Sequence, residues 1–248
     1  MTFCAGLRVR DGIVGIADTR VTTSTEHIVA RKLVTYDHLD YPMFIMTSGL
    51  RSIRDKAMTY FDEYLEETGD RFDKLYKAVN SFAEQLRRVA REDKKSLSGS
   101  GLSFNLHSII GGQLENDREP KLYMMYPEAN WVEVGTGTPY FLIGESSFGK
   151  PILDRVLRYE SSIASALKVG YLAFDATRAS AVDVDFPIDV VIFSSGSGKI
   201  DVQRFERNEL IEVSVWWQEI LSEAIEQLPA ECFERIIPTI SKKFPDAV

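Results

Sequence analysis

Residues 2–18 read Thr2-Phe-Cys-Ala-Gly-Leu-Arg-Val-Arg-Asp-Gly-Ile-Val-Gly-Ile-Ala-Asp18, two apolar runs of strand length around Asp11-Gly12. An Asp-Gly pair between two such runs is a strong signal for a tight antiparallel hairpin. The reading is therefore a strand from Thr2 to Arg10 and a second from Gly12 to Asp18, with Asp18 returning to the start of the first. Further short strands are expected at Tyr41–Ser48, Phe104–Gly111, Lys121–Tyr126, Trp131–Val134, Asp189–Phe193 and Ile200–Phe205. Between the strand groups the spacing changes. Ile53, Ala57, Tyr60, Phe61 and Tyr64, then Phe72, Leu75, Val79, Phe82, Leu86 and Val89, recur at helical intervals on either side of Thr68-Gly69-Asp70. A later helix is predicted from Pro151, carrying Ile152, Val156, Tyr159, Ile163 and Leu167, with its end near Gly170. Helix is also expected over Leu210–Ile225 and, beyond Leu228-Pro229, over Ala230–Ile237. Strands in groups, helices in groups, then strands again describe an α+β layered fold rather than an alternating one. The whole of 1–248 reads as a single domain with a C-terminal helical extension at about 207–248.

Composition narrows the function classes. With 44% hydrophobic residues the chain has enough apolar material for a full core. A net charge of −8 disfavours a nucleic-acid partner, because phosphates are repelled. Arg87–Lys95 is a charge-rich helical end whose cations suit a helix C-terminus, and Ser96–Ser103 is the loop expected to close it. No apolar run is long enough to span a membrane, and the N-terminus lacks a signal-peptide pattern, so the cytoplasm is the expected location. Cys4 and Cys232 make no disulfide framework, and Cys4 reads as core. His27, His38 and His107 have no metal-ligand spacing. Ser195-Gly-Ser-Gly-Lys199 departs from a phosphate loop at Phe193 and Ile200 and reads as a hairpin turn. Trp216-Trp217 are assigned to packing in the core in preference to a subunit contact.

Ala17-Asp18-Thr19-Arg20 alone would be a solvated turn or a cap. Its hairpin partner begins with Thr2, and Lys32 follows fourteen residues later. With these residues in view, the chain resembles the proteasome-type family of N-terminal-nucleophile hydrolases. The resemblance is to the catalytic β-subunits, and within them to the bacterial Anbu (ancestral β-subunit) branch. It is carried by Met1-Thr2-Phe3-Cys4, Gly15-Ile-Ala-Asp18-Thr-Arg20, Lys32, Ser48-Gly49, Gly135-Thr-Gly-Thr138, Ala173–Ser180 and Asp185–Ile192. The fold it implies is a four-layer αββα sandwich with two mostly antiparallel sheets between helical layers.

The chemistry implied is threonine-type peptide or amide hydrolysis. A hydroxyl is a poor nucleophile until a base takes its proton. An α-amino group, with a reference pKa of about 7.7–8.0, is suited to that role near neutral pH. The resemblance makes Thr2 Oγ the nucleophile and the Thr2 amine the base, once Met1 is removed. Lys32 stays protonated against Asp18 and lowers the pKa of its neighbours. Gly49 offers its backbone N–H to the oxyanion. Thr136 stands for the family's serine in a Gly-Ser-Gly turn, and Asp175 positions the amine. Arg178 occupies the next family serine position, and Ser180 is the nearby hydroxyl. Lys32 lies about two residues closer to Thr2 than is common in the family, a difference that a shorter loop at Thr22–Glu26 absorbs. Thr47 and Arg51 flank the substrate pocket, where Arg51 disfavours a basic side chain. No cofactor or metal is implied. The implied partners are a peptide or amide substrate, further copies in a ring or related multimer, and an ATPase or amide-ligase and transglutaminase-like proteins. A silent proteasome-like scaffold and a small-molecule amidase remain the alternatives.

Overall fold

A computed structural model describes residues 2–22, 27–29, 31–36, 42–68 and 72–229. The elements run β1 (Phe3–Val9), β2 (Gly12–Asp18), β3 (Arg20–Thr22), β4 (His27–Val29), β5 (Leu33–Thr35) and β6 (Met43–Gly49), then helices α1 (Arg51–Thr68) and α2 (Leu75–Gly99). They continue as β7 (Leu106–Gly112), β8 (Lys121–Met125), β9 (Trp131–Glu133), β10 (Tyr140–Gly144), α3 (Lys150–Val156), α4 (Ile163–Ser180), β11 (Ile188–Ser194), β12 (Ile200–Phe205) and α5 (Arg207–Glu226). Two compact units divide the chain, Met1–Arg207 and Asn208–Val248.

The first unit is an αββα sandwich. One antiparallel sheet has the order β10-β1-β2-β11-β12 and the other β5-β6-β7-β8-β9, with β3-β4 a separate ribbon. Alternation along β6 shows how one strand serves two cores. Phe44 and Met46 pack with Cys4, Ile13, Ala17, Ile109, Leu122 and Val191 between the sheets. Met43 and Ile45 face the other way, into a core shared with Ile53, Phe61, Val79, Phe82 and Leu86 of α1 and α2. On the opposite outer face α4 lies close to β1 and β2 because Gly170 has no side chain. A Cβ there would come within 2.8 Å of Ile16 Cδ1.

The helix reading from Pro151 to Gly170 is corrected. Two helices stand there, α3 ending at Val156 and α4 starting at Ile163, with Leu157 in extended backbone. Ser162 caps α4 by accepting the N–H of Ser165 at 3.1 Å, and the helix continues past Gly170 to Ser180. Helix α2 also runs four residues into the Ser/Gly stretch, to Gly99. Strands β3, β4, β5 and β10 carry no signal strong enough to have been read. The expected turn at 195–199 does join β11 to β12.

In α5 the expectation of core packing is corrected for Trp216, which is 54% exposed. Val213, Val215, Leu221 and Ile225 are exposed as well. These residues encircle the helix instead of sharing one stripe, so no single face buries them. The helix expected at 230–237 lies outside the described residues. Among the described residues no helix is long and apolar enough to cross a membrane.

Candidate active site

The β1–β2 register pairs Cys4 with Ala17, so Asp18 arrives beside Phe3. The Phe3 amide donates to Asp18 Oδ1 at 2.8 Å. Lys32 Nζ donates to the same oxygen at 2.6 Å and to the Arg20 carbonyl at 2.7 Å. Asp18 is fully buried and Lys32 is nearly so. Burial pushes the Asp18 carboxyl up to about 6, while the charge of Lys32, its hydrogen bond and the Phe3 amide pull the other way. Asp18 Oδ2 is buried without a hydrogen-bond partner.

Lys32 is held in turn from the second sheet, where the Thr47 amide donates to the Lys32 carbonyl at 3.0 Å. The Cys4 thiol points at the Thr47 carbonyl at 3.8 Å, a further link between β1 and β6. Cys4 is fully buried, and burial pushes its thiol pKa upward, so it is no nucleophile. The start of β1, the end of β2, Lys32 and the end of β6 therefore meet at one end of the sandwich.

Gly49 closes β6 with φ +142, a backbone region that favours glycine, and it is exposed. A Cβ there would lie 2.1 Å from the Asn105 carbonyl oxygen, so only glycine fits. Thr47 is 4% exposed and its hydroxyl is buried without a partner. Arg51 is the first residue of α1, exposed, and paired with Asp55 at 3.2 Å.

Thr136 is corrected. It sits in an exposed bend between β9 and β10, and β10 enters at the far end of β1, where the Arg8 amide donates to the Pro139 carbonyl at 2.8 Å. Arg8 is about 20 Å along β1 from Thr2, more than the short segment from Pro139 back to Thr136 can span. The loop that does meet Thr2 follows the other end of β10. Glu145 donates its N–H to the Thr2 carbonyl at 2.7 Å, continuing the register that sets Phe3 opposite Gly144. Gly144 has φ +87, and a Cβ on it would lie 1.9 Å from the Thr2 oxygen and 3.2 Å from Ser48 Oγ. Gly149 packs against the Phe3 ring, where a Cβ would be 3.1 Å from Cε2. Sequence reasoning missed Gly144 and Glu145, and it named Ser48 beside Gly49 without giving it a role. The available signal was the pair of glycines around Glu145-Ser146-Ser147, weaker to the eye than Gly135-Thr-Gly-Thr138.

Asp175 is buried in α4, one residue from Phe174, whose ring packs edge-on to Phe3 at 5.9 Å. Arg178 grips Asp175 Oδ1 through Nη2 at 2.7 Å and Nε at 3.2 Å, and its guanidinium lies 5.8 Å from the Phe186 ring. Ser180 is exposed at the end of α4. Five helical positions separate it from Asp175, about 140° around the helix, so the two share no face and Ser180 does not stand in for the family serine. Among the described residues no group of His, Cys, Asp and Glu side chains is arranged to hold a metal ion.

A family model described as proteasome subunit matches residues 2–193. No curated protein matches the chain significantly. Anbu from Yersinia bercovieri superposes with a TM-score of 0.83 at 26% identity, covering 92% of this chain and 97% of its own. The Anbu complex of Pseudomonas aeruginosa, described as a helical assembly, gives 0.84 at 26% identity with the same coverage. A mutant Anbu (Gly-1) from a Hyphomicrobium strain gives 0.83 at 27% identity over 92% of this chain and 98% of its own. The chain therefore belongs to the proteasome subunit family, as a β-type subunit of the Anbu branch.

Proposed function

We propose that the chain is a threonine-type peptidase or amide hydrolase that works from Thr2 after removal of Met1. Thr2 Oγ attacks the amide carbonyl while the Thr2 amine accepts the hydroxyl proton, directly or through water. The oxyanion draws on the Gly49 N–H, at an exposed strand end with no side chain in the way. The C–N bond breaks as the leaving amine takes the proton, and water then cleaves the Thr2 ester to regenerate the hydroxyl. Lys32 supplies positive charge beside these groups, and Asp18 keeps it in place. The observation that carries this reading is the convergence of Lys32 Nζ and the Phe3 amide on one oxygen of a fully buried Asp18, at the residue next to Thr2.

The test is intact-mass analysis after exposure to an electrophilic peptide that captures N-terminal threonine. A single adduct is expected on Met1-free wild type, none on Thr2→Ala, and a rate at least about 100-fold lower on Lys32→Ala. Equal labelling of wild type and Thr2→Ala overturns the reading.

A second reading, a silent proteasome-like scaffold, is favoured by one observation. Arg178 binds one oxygen, Oδ1, of Asp175, the carboxylate otherwise assigned to the amine. The same labelling experiment separates the two. Self-association is also proposed, because the Pseudomonas aeruginosa relative is described as a helical assembly.

A further inference from the structure

Strand β5 pairs only with β6 and β12 only with β11, so each is an outer strand of its sheet. A cavity of about 460 Å³ lies between these two edges. Alternation along the strands decides what lines it. Val191 and Phe193 of β11 and Ile200 of β12 point into the core between the sheets, as does Leu33 of β5. Asp189, Val202 and Arg204 fall on that same face two or four residues along, where the apolar layer gives way to the cavity. Arg31, Val34 and Thr35 complete the wall from the second sheet.

Asp189 stands opposite Arg204 in the strand register and is buried. Arg204 grips both of its oxygens, Nε to Oδ1 at 2.7 Å and Nη2 to Oδ2 at 2.9 Å. That pair ties β12 to β11, a task two apolar residues would perform without desolvating two charges. It accounts neither for the void beside it nor for a second guanidinium on the other wall. Arg204 Nη1 has no acceptor among the described residues, and the side chain is 33% exposed. Arg31 is exposed, and its side chain has no hydrogen bond or ion pair with another described residue. Its backbone is fixed, because the Arg31 carbonyl accepts from Arg54 Nη2 at 2.5 Å and the Lys32 carbonyl from the Thr47 amide at 3.0 Å. The charged groups of the wall are thus Arg31, Arg204 and Asp189, an excess of one positive charge (2 − 1). Glu206 acts on Arg204 through its charge but does not line the cavity. Since both Asp189 oxygens already accept, the wall offers mainly donors.

We infer that this cavity is a second binding site, for a small organic anion whose carboxylate or phosphate lies between Arg31 and Arg204 and whose aliphatic part lies on Leu33, Val34 and Val202. Guanidinium groups present forked N–H pairs that match such oxyanions. The volume exceeds that of a bare ion and lies in the range of small-molecule sites. The inference is independent of Thr2 and stands whether or not the chain is a hydrolase.

The test uses ligand-observed saturation-transfer NMR on the full chain, with butyrate, its neutral analogue butyramide, acetate and methyl phosphate as probes. Butyrate is expected to bind with a dissociation constant of about 1–10 mM, a reasonable strength for so few atoms. Butyramide should bind at least about tenfold more weakly, because it forfeits the charge-assisted hydrogen bonds. Arg31→Gln should weaken butyrate about tenfold, whereas Arg10→Gln, at an exposed arginine beside the β1–β2 turn, should leave it within about twofold. Val202→Trp fills the cavity with all three charges in place and should abolish binding, with an unchanged urea midpoint showing that the fold survives. Two arms distinguish the ligand's head group. Tighter binding of butyrate than acetate, about three- to fourfold for each added methylene, points to an aliphatic carboxylate. Displacement of butyrate by methyl phosphate at a lower concentration than butyrate itself requires points to a phosphate ester. Equal binding of butyrate and butyramide, no saturable binding of either anion up to about 50 mM, or binding unaffected by both Arg31→Gln and Val202→Trp overturns the inference.

Discussion

Asp18 keeps its charge in a place that resists it. Its carboxyl is fully buried and pushed up to about 6, so between about pH 4 and pH 6 the folded protein holds a proton that the unfolded chain has released. The sign follows. Asp18's contribution to stability is greatest below about pH 4 and is lost as pH rises through about 6, whereas the ion pair with Lys32 forms only as that proton leaves. Reactivity runs the other way. An N-terminal amine titrating near pH 7.7–8.0 gives log rate against pH a slope of about one on its acid side. Below about pH 6 protonation of Asp18 should steepen that slope towards two, which labelling rates measured from pH 5 to 8 will show. The wild-type denaturation midpoint, compared with that of Asp18→Asn, should rise between pH 6 and pH 4. At this scale the sequence is legible where local chemistry and chain order suffice. The Asp11-Gly12 turn brings Asp18 to Phe3 without any knowledge of the rest. Glu145 is not legible in that way, because its place opposite Thr2 depends on which end of β10 meets β1, and no local pattern encodes a pairing between residues 143 positions apart. Thr136 drew attention by its flanking glycines, yet Gly135 and Gly137 have open space around them and reflect an exposed bend.

Elements were easiest to read where a single periodicity covered their whole length. The α2 stripe from Leu75 to Val89 is buried as its spacing predicts. The apparent helix from Ile152 to Leu167 kept helical spacing across Leu157–Ser162, where the backbone leaves the helix and starts again at a serine cap. Periodicity counts apolar positions and does not register a change of direction between them. Strand β10 was passed over since Tyr140–Gly144 is short and follows Pro139, although it forms the edge that carries the Thr2 loop. The turn after β10 offers the sharpest test at this scale. Gly144→Ala places a methyl against a backbone oxygen at a positive φ, with no flexible side chain to yield. The expected cost is about 2–3 kcal/mol in a urea denaturation experiment. Labelling at Thr2 should fall more than the unfolded fraction accounts for, since the displaced segment is the one that holds the Thr2 carbonyl.

Among the described residues, the two cores on either side of β6 draw on none beyond Ile200. A chain ending at Arg207 is therefore expected to unfold in one cooperative transition and to keep its Thr2 labelling rate within about twofold, measured by denaturant titration and mass spectrometry. Loss of cooperativity would show that the second unit supports the first. The layered class was legible from grouped strands and helices, whereas the order of strands within each sheet was not, since order is set by long-range pairing. One feature acts across the entire sandwich. Asp18 belongs to one sheet, while Lys32 is anchored through its carbonyl to Thr47 in the other. The proposed centre is in effect a rivet through two plates. Slippage between them too slight to expose the interior would already part the cation from its carboxylate, so in a population drifting towards denaturation the chemistry should go silent first.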